Sequence, residues 1–134
     1  MGKPGEFNTA IARWRGDWRA TVEVGEFSFE VDEPVADGGT GTGPMPTDYF
    51  LGSLASCYAL ALSWAARKRG VELTELSVRA TGRYERLRFD ALTLQVTCNL
   101  SEAELAPLLP MASRVCYVSN TLDNPPSIKI ETTR

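Results

Sequence analysis

Cys57, Cys98 and Cys116 are the strongest candidate nucleophiles in a 134-residue chain that contains no histidine at all. That absence excludes Cys–His and Ser–His pairs, histidine metal sites and the usual neutral-pH proton acceptor. Three cysteines are too few for a secreted disulfide scaffold, and they lack zinc-site spacing, so a reducing cytoplasm is the expected compartment. An unperturbed thiol, with a pKa of about 8.5, is only about 3% thiolate at pH 7. Lowering the pKa to about 6 makes it about 90% thiolate, a roughly thirty-fold gain needing about 3.4 kcal/mol of differential stabilisation. With histidine missing, activation has to draw on arginine, a carboxylate or burial, and one arginine in contact is enough in a dry site. Arg13, Arg15 and Arg19, around Gly16-Asp17, are the candidates.

The three thiols read differently. Cys57 lies within "MPTDYFLGSLASCYALALSWAARKRG", residues 45 to 70, which reads as a buried helix. It falls well past the first turn, where the effect of the helix dipole fades, and an apolar wall raises a thiol pKa, so taken alone it is packing. Cys98 alternates strictly with Leu94, Val96 and Leu100 and behaves as a small hydrophobe of a strand. Cys116, in "MASRVCYVSNTL", also reads alone as packing. Two mid-helix cysteines on two central helices are nevertheless placed to meet where those helices cross, which a reversible disulfide requires.

The elements that must position them follow from periodicity. Residues 9 to 33 predict a three-stranded antiparallel meander with turns at Gly16-Asp17 and Gly25-Glu26, in which Trp18, Ala20, Val22 and Val24 form one face. "DGGTGTGPMP" predicts a mobile loop leading into the Cys57 helix, with Thr47 as N-cap and Gly70 just past the C-terminus. Tyr49 to Ala66 carries no charge on any face, as in a helix buried all round. Its eighteen residues are marginal for a membrane span, and Gly52, Ser53, Ser56 and Ser63 dilute them, so no membrane role is expected. Leu76–Tyr84 and Leu92–Leu100 alternate as half-buried strands. Ser101 and Glu104 form a capping box, Pro107 and Pro110 interrupt the helix after it, and a second piece is expected near 109 to 119. Ile128 and Ile130 predict a short closing strand.

With 43% hydrophobic residues the chain is expected to fold as one domain over 1–134, residues 1–8 being flexible. No N-terminal stretch combines basic and apolar regions as a signal peptide does. A net charge of -3 gives no basic field for nucleic acid. Sheet segments followed by apolar helices, without alternating βαβ units, make the class α+β. Short meanders cover only part of an all-apolar helix, so an intertwined homodimer is expected to bury the rest.

"PTDYFLGSLASCYALAL", the "GGTGTGP" before it and "ASRVCYVSNTL" after it resemble the OsmC/Ohr family over about residues 10 to 132. The resemblance implies antiparallel sheets wrapped around two central buried helices in an intertwined homodimer, with active sites at the subunit interface. It implies a thiol-dependent peroxidase without cofactor or metal, acting on organic hydroperoxides and recharged by an external dithiol. Cys57 is then the peroxidatic residue and Cys116 the resolving one. Position 47 is threonine where active members carry a glutamate, so Asp48 is assigned to hold the arginine, with Arg15 as that arginine. Two other readings stand beside this one: a non-enzymatic dimer holding a small apolar ligand between subunits, and a redox sensor subunit that oxidises without rapid turnover.

Overall fold

Alternation in the first third of the chain produces three antiparallel strands: β1 (Ile11–Gly16), β2 (Arg19–Val24) and β3 (Phe27–Val31), in that order in the sheet. The structure, a computed structural model, describes residues 2–133, so the expectation for the terminal eight residues lies, at Met1, outside the described part; residues 2–10 form no helix or strand and are exposed. Gly25 takes a φ of 58°, and Gly25-Glu26 forms the second turn as expected. The first turn falls one residue later than expected. Gly16 pairs with Arg19, so Asp17 and Trp18 form the connection and Trp18 leaves the apolar face to stand 61% exposed. Asp17 accepts the left-handed φ of 50° that this turn needs, which Asn and Asp tolerate best after glycine.

The glycine-rich connection expected to be mobile is organised by one carboxylate. Asp32, 1% exposed, accepts hydrogen bonds from the backbone N–H of Glu33 (2.7 Å), Thr40 (3.2 Å) and Thr42 (3.1 Å) and from the hydroxyls of Thr40 and Thr42. Its own N–H donates to Pro44 O at 3.1 Å. A Cβ on Gly39 would collide with Glu33 O, so the close approach of two backbone segments requires glycine there. Sequence reading saw the glycines and missed the buried acid that orders them.

Helix α1 spans Pro46–Arg69. Thr47, expected as N-cap, lies inside the first turn, because Pro46 has no N–H to lose and suits the first helical position. Asp48 instead caps backward, its carboxylate accepting from Met45 N–H at 2.8 Å. The first turn is tied to β3: Tyr49 OH donates to Glu30 O at 2.8 Å, and the Phe29 and Tyr49 rings lie 4.5 Å apart. Gly70, at φ 68°, ends the helix as expected, with Gly70 N–H on Arg67 O and Val71 N–H on Ala66 O completing a Schellman motif.

Met1–Phe50 and Leu51–Arg134 form two compact units. In the second, β4 (Leu76–Glu85) and β5 (Arg88–Cys98) pair antiparallel through a turn at which Arg86 takes φ 57°. β5 therefore starts four residues before the expected run. Helix α2 (Glu102–Leu105) carries the expected capping box from Ser101 and Glu104. Helix α3 (Leu108–Val115) holds Pro110 in its first turn, where a missing N–H costs nothing. The second helical piece is not continuous: α3 ends before Cys116 and α4 (Tyr117–Asp123) begins after it. Ile128 and Ile130 lie outside any strand and are each 89% exposed, since a strand exists only against a neighbouring edge and the segment finds none among the described residues.

The core of this unit is a stripe on α1, Tyr58, Ala61, Leu62, Ala65 and Ala66, closed by Leu108, Ala112 and Cys116. Burying a leucine such as Leu62 contributes about 2 kcal/mol. The helix expected to be buried all round fully buries only this stripe and Leu54, and Leu60 is 73% exposed. By length and composition α1 suits a membrane span, with mean hydropathy 1.3 over its best window, but 33% of that window is already enclosed by the chain.

Asp32 lies well below the usual carboxylate range, held there chiefly by the Thr40 hydroxyl and further by Thr42 and Glu33, against the opposing effect of burial. A folded-state pKa below the unfolded value gives stability that is complete above the unfolded pKa of about 3.9 and is lost as pH falls below it. Asp32→Asn is expected to lower the melting temperature at pH 7 by about 5 °C or more, with the gap to wild type narrowing below about pH 4 in calorimetry. A constant gap across that range would show that charge is not what the loop requires.

Candidate thiol site

Both assigned thiols belong to the second unit. Cys57 is half-buried on α1 and packs against the apolar cluster that contains Cys116, which is 0% exposed. All three cysteines are free. Cys98 is half-buried near the end of β5, opposite Leu76, as its alternation predicts.

Cys116 owes its setting to the break between α3 and α4. Its backbone is extended, with φ -80° and ψ 103°, and its carbonyl accepts from Asn120 N–H at 3.0 Å and Ser119 OH at 3.3 Å. Asn120 Nδ2 donates back to Arg114 O at 3.0 Å, satisfying a carbonyl that the interrupted helix leaves open. Next to Cys57, Tyr58 is 8% exposed, its hydroxyl within 3.3 Å of Leu109 O and 3.2 Å of Ser113 Oγ. These bonds fix α3 on α1. Beside them opens a cleft of about 490 Å³, walled by Leu92, Leu94, Val96, Leu105 and Leu109, with Ser113, Ser119 and Asp123 at its polar end. The cleft was not read from the sequence, although the alternation of β5 and the serines three residues either side of Cys116 were its signal.

The candidate arginines occupy the first unit. Arg13 is engaged directly, its Nε 2.5 Å from Glu23 Oε1. Arg19 begins β2 and is exposed. Arg15 is the extra residue of a bulge: Trp14 pairs with Ala20 and Gly16 with Arg19, leaving Arg15 unmatched. Bulges of this kind re-aim one side chain out of the pleat. Arg15 Nε donates to Thr21 Oγ1 at 3.0 Å, and Thr21 Oγ1 donates to Glu30 Oε1 at 3.0 Å. Asp48, the assigned carboxylate, is occupied with Met45 N–H. Glu30 escaped the sequence reading, although pairing of Thr21 with Glu30 across the meander was implicit in its turns. Among the described residues no group of three or more acidic, cysteine or histidine side chains is placed to hold a metal ion.

Such a site can bring a polarisable sulfur, a second sulfur in the same apolar cluster and an apolar cleft to bear on a small molecule. The model of the OsmC-like protein family matches residues 39–131. Among solved structures the chain is similar to an osmotic stress induced and detoxification response protein from Psychrobacter arcticus, at 22% identity and TM-score 0.74, covering 87% of this chain and 88% of that one. It is similar to an OsmC-like protein from Mycoplasma pneumoniae at 20% identity and TM-score 0.74, covering 90% of each chain. A Vibrio cholerae protein described as an organic hydroperoxide resistance protein, with captopril in one of its active sites, shares 25% identity at TM-score 0.69, over 92% of this chain and 88% of that one. A search of the curated proteins finds no match in sequence.

Tyr58→Phe is expected to cost about 1 kcal/mol, the usual net worth of a buried hydroxyl's hydrogen bonds, read as a lower urea midpoint at unchanged slope. An unchanged midpoint would mean that the phenol is not what holds α3 against α1.

Proposed function

The chain belongs to the OsmC-like protein family, and we propose that it is a thiol-dependent hydroperoxide reductase working in a reducing cytoplasm. The observation that carries this reading is the packing of Cys57 against the apolar cluster that encloses Cys116. The organic hydroperoxide resistance ascribed to the Vibrio cholerae relative supports the substrate class. In the first step the Cys57 thiolate attacks the outer oxygen of ROOH; the O–O bond breaks, ROH leaves after taking a proton, and Cys57 becomes a sulfenic acid. The Cys116 thiol then attacks that sulfur, water departs and a disulfide forms. An external dithiol reduces the disulfide by two exchange steps and is itself oxidised. Arg15 stabilises the thiolate and orients the peroxide; Asp48, assigned by the resemblance to hold it, bonds Met45 N–H instead.

The protein acts as a homodimer. Leu60, Trp14 and Phe27 are each more than 70% exposed, and Ile128 and Ile130 are 89% exposed, apolar surface that a partner would remove from water. A partner burying about 800 Å² on each side would cover it. Leu60→Glu is expected to shift the sedimentation coefficient at micromolar concentration from dimer to monomer. A wild-type protein that already sediments as a monomer would remove the dimer from the proposal.

A second reading, an OsmC-like dimer binding a small apolar ligand without turnover, is favoured by the apolar cleft beside Tyr58. Cys57 alkylation separates the two. An inflection near about pH 6 accords with an activated thiolate, and one near about pH 8.5 with a bystander thiol. In stopped flow, wild-type protein should consume cumene hydroperoxide roughly thirty-fold faster than an unactivated thiol, from thiolate fraction alone. Cys116→Ser should keep the first turnover and lose dithiol-driven cycling. Consumption no faster than that of Cys57→Ser would end the peroxidase reading.

A further inference from the structure

Two arginines on the same polar face of the meander are treated differently. Arg13 meets Glu23 directly, Nε to carboxylate, so much of its charge is cancelled where it stands. Arg15, aimed by its bulge, meets a hydroxyl instead. Thr21 has a single hydroxyl proton and gives it to Glu30, 3.0 and 3.1 Å from its two carboxylate oxygens. Its oxygen is thereby left as acceptor for Arg15 Nε–H, 3.0 Å away. Guanidinium, hydroxyl and carboxylate form a chain in which each bond polarises the next.

Glu30 is itself unusually well fixed. Its carbonyl accepts from Tyr49 OH at 2.8 Å, the neighbouring Phe29 ring lies on Tyr49, and the loop passes so close that a Cβ on Gly43 would come within 2.9 Å of Glu30 O. The carboxylate therefore springs from backbone held by β2, the loop and the first turn of α1 together. A fixed anchor acting on Nε alone restrains the planar guanidinium while leaving its two Nη groups without a partner among the described residues. The positive field stays available, because the carboxylate stands one hydroxyl away instead of in contact.

The geometry points to Glu30 as the positioning residue of Arg15, acting through Thr21 so that the Nη pair is presented to an anion. This rests on the reading that Arg15 serves the Cys57 thiolate. Glu30 touches neither sulfur nor peroxide in this scheme; it sets the orientation of the group that does.

The test has two arms on the full chain. In the first, the NMR signal of Arg15 Nε–H should be protected from exchange in wild type, lost in Thr21→Val, weakened in Glu30→Gln, restored in Thr21→Ser and unaffected by Glu23→Gln. In the second, kcat/KM for cumene hydroperoxide should fall about threefold to tenfold in Glu30→Gln and Thr21→Val, a charge-assisted bond being about twice as strong as a neutral one. Neither change should add to the loss already caused by Arg15→Ala. Circular dichroism melts and the Thr21→Ser rescue separate this from unfolding. An Nε–H signal indifferent to Thr21 and Glu30, or rate losses fully additive with Arg15→Ala, overturns the relay and leaves the peroxidase reading standing. Wild-type turnover no faster than Cys57→Ser overturns that reading and Glu30's part in it together.

Discussion

An ionised carboxylate hidden from water is tolerated only when donors replace its hydration, and Asp32 has three backbone N–H groups and two hydroxyls around it. That requirement shapes everything between β3 and α1. It explains the threonines at alternate positions, the glycines that let Glu33 and Gly39 approach, and the bond from Asp32 N–H to Pro44 O. The loop reaches Pro46 in a defined state, and α1 starts where it does because of it. Without the charge, five donors would be left facing a side chain that cannot satisfy them.

In the second unit the governing interaction is apolar. One stripe of α1 packs with α3, and small residues carry much of it: Ala61, Ala65, Ala66 and Ala112 all lie in the buried cluster. That cluster encloses Cys116 completely, while Cys57 packed against it stays half-buried. In a chain without histidine, neither thiol has a neighbouring base of the usual kind. The meander supplies one arginine already neutralised by contact and one held at arm's length by a hydroxyl.

Much of this was legible in the sequence. The α+β class, the three-stranded meander, the β4–β5 pair, the Ser101–Glu104 capping box and the Gly70 terminus follow from period-2 alternation, the S-x-x-E pattern and the special backbone freedom of glycine. What was not legible depends on partners remote in sequence. Nothing local marks Asp32 as buried, and nothing in "MASRVCYVSNTL" contains the glycine or proline that usually breaks a helix at Cys116. Trp18 was misplaced because alternation cannot tell the last residue of a turn from the first of a strand. Glu30 and Asp48 differ for the same reason: both are acids near the right region, and only pairing register puts one of them opposite Thr21.

The interruption at Cys116 also divides a well-anchored element from a poorly anchored one. α3 buries Leu108 and Ala112, whereas α4 buries no residue at all. Fraying of α4 costs a small part of what global denaturation costs, so its amides should be among the quickest in the unit to trade hydrogen for deuterium. Such a breathing motion disturbs no core contact of α3, yet it loosens the two bonds to the Cys116 carbonyl. A sulfur sealed off on average is thus tethered to a weakly anchored turn, and transient local opening there would govern its accessibility.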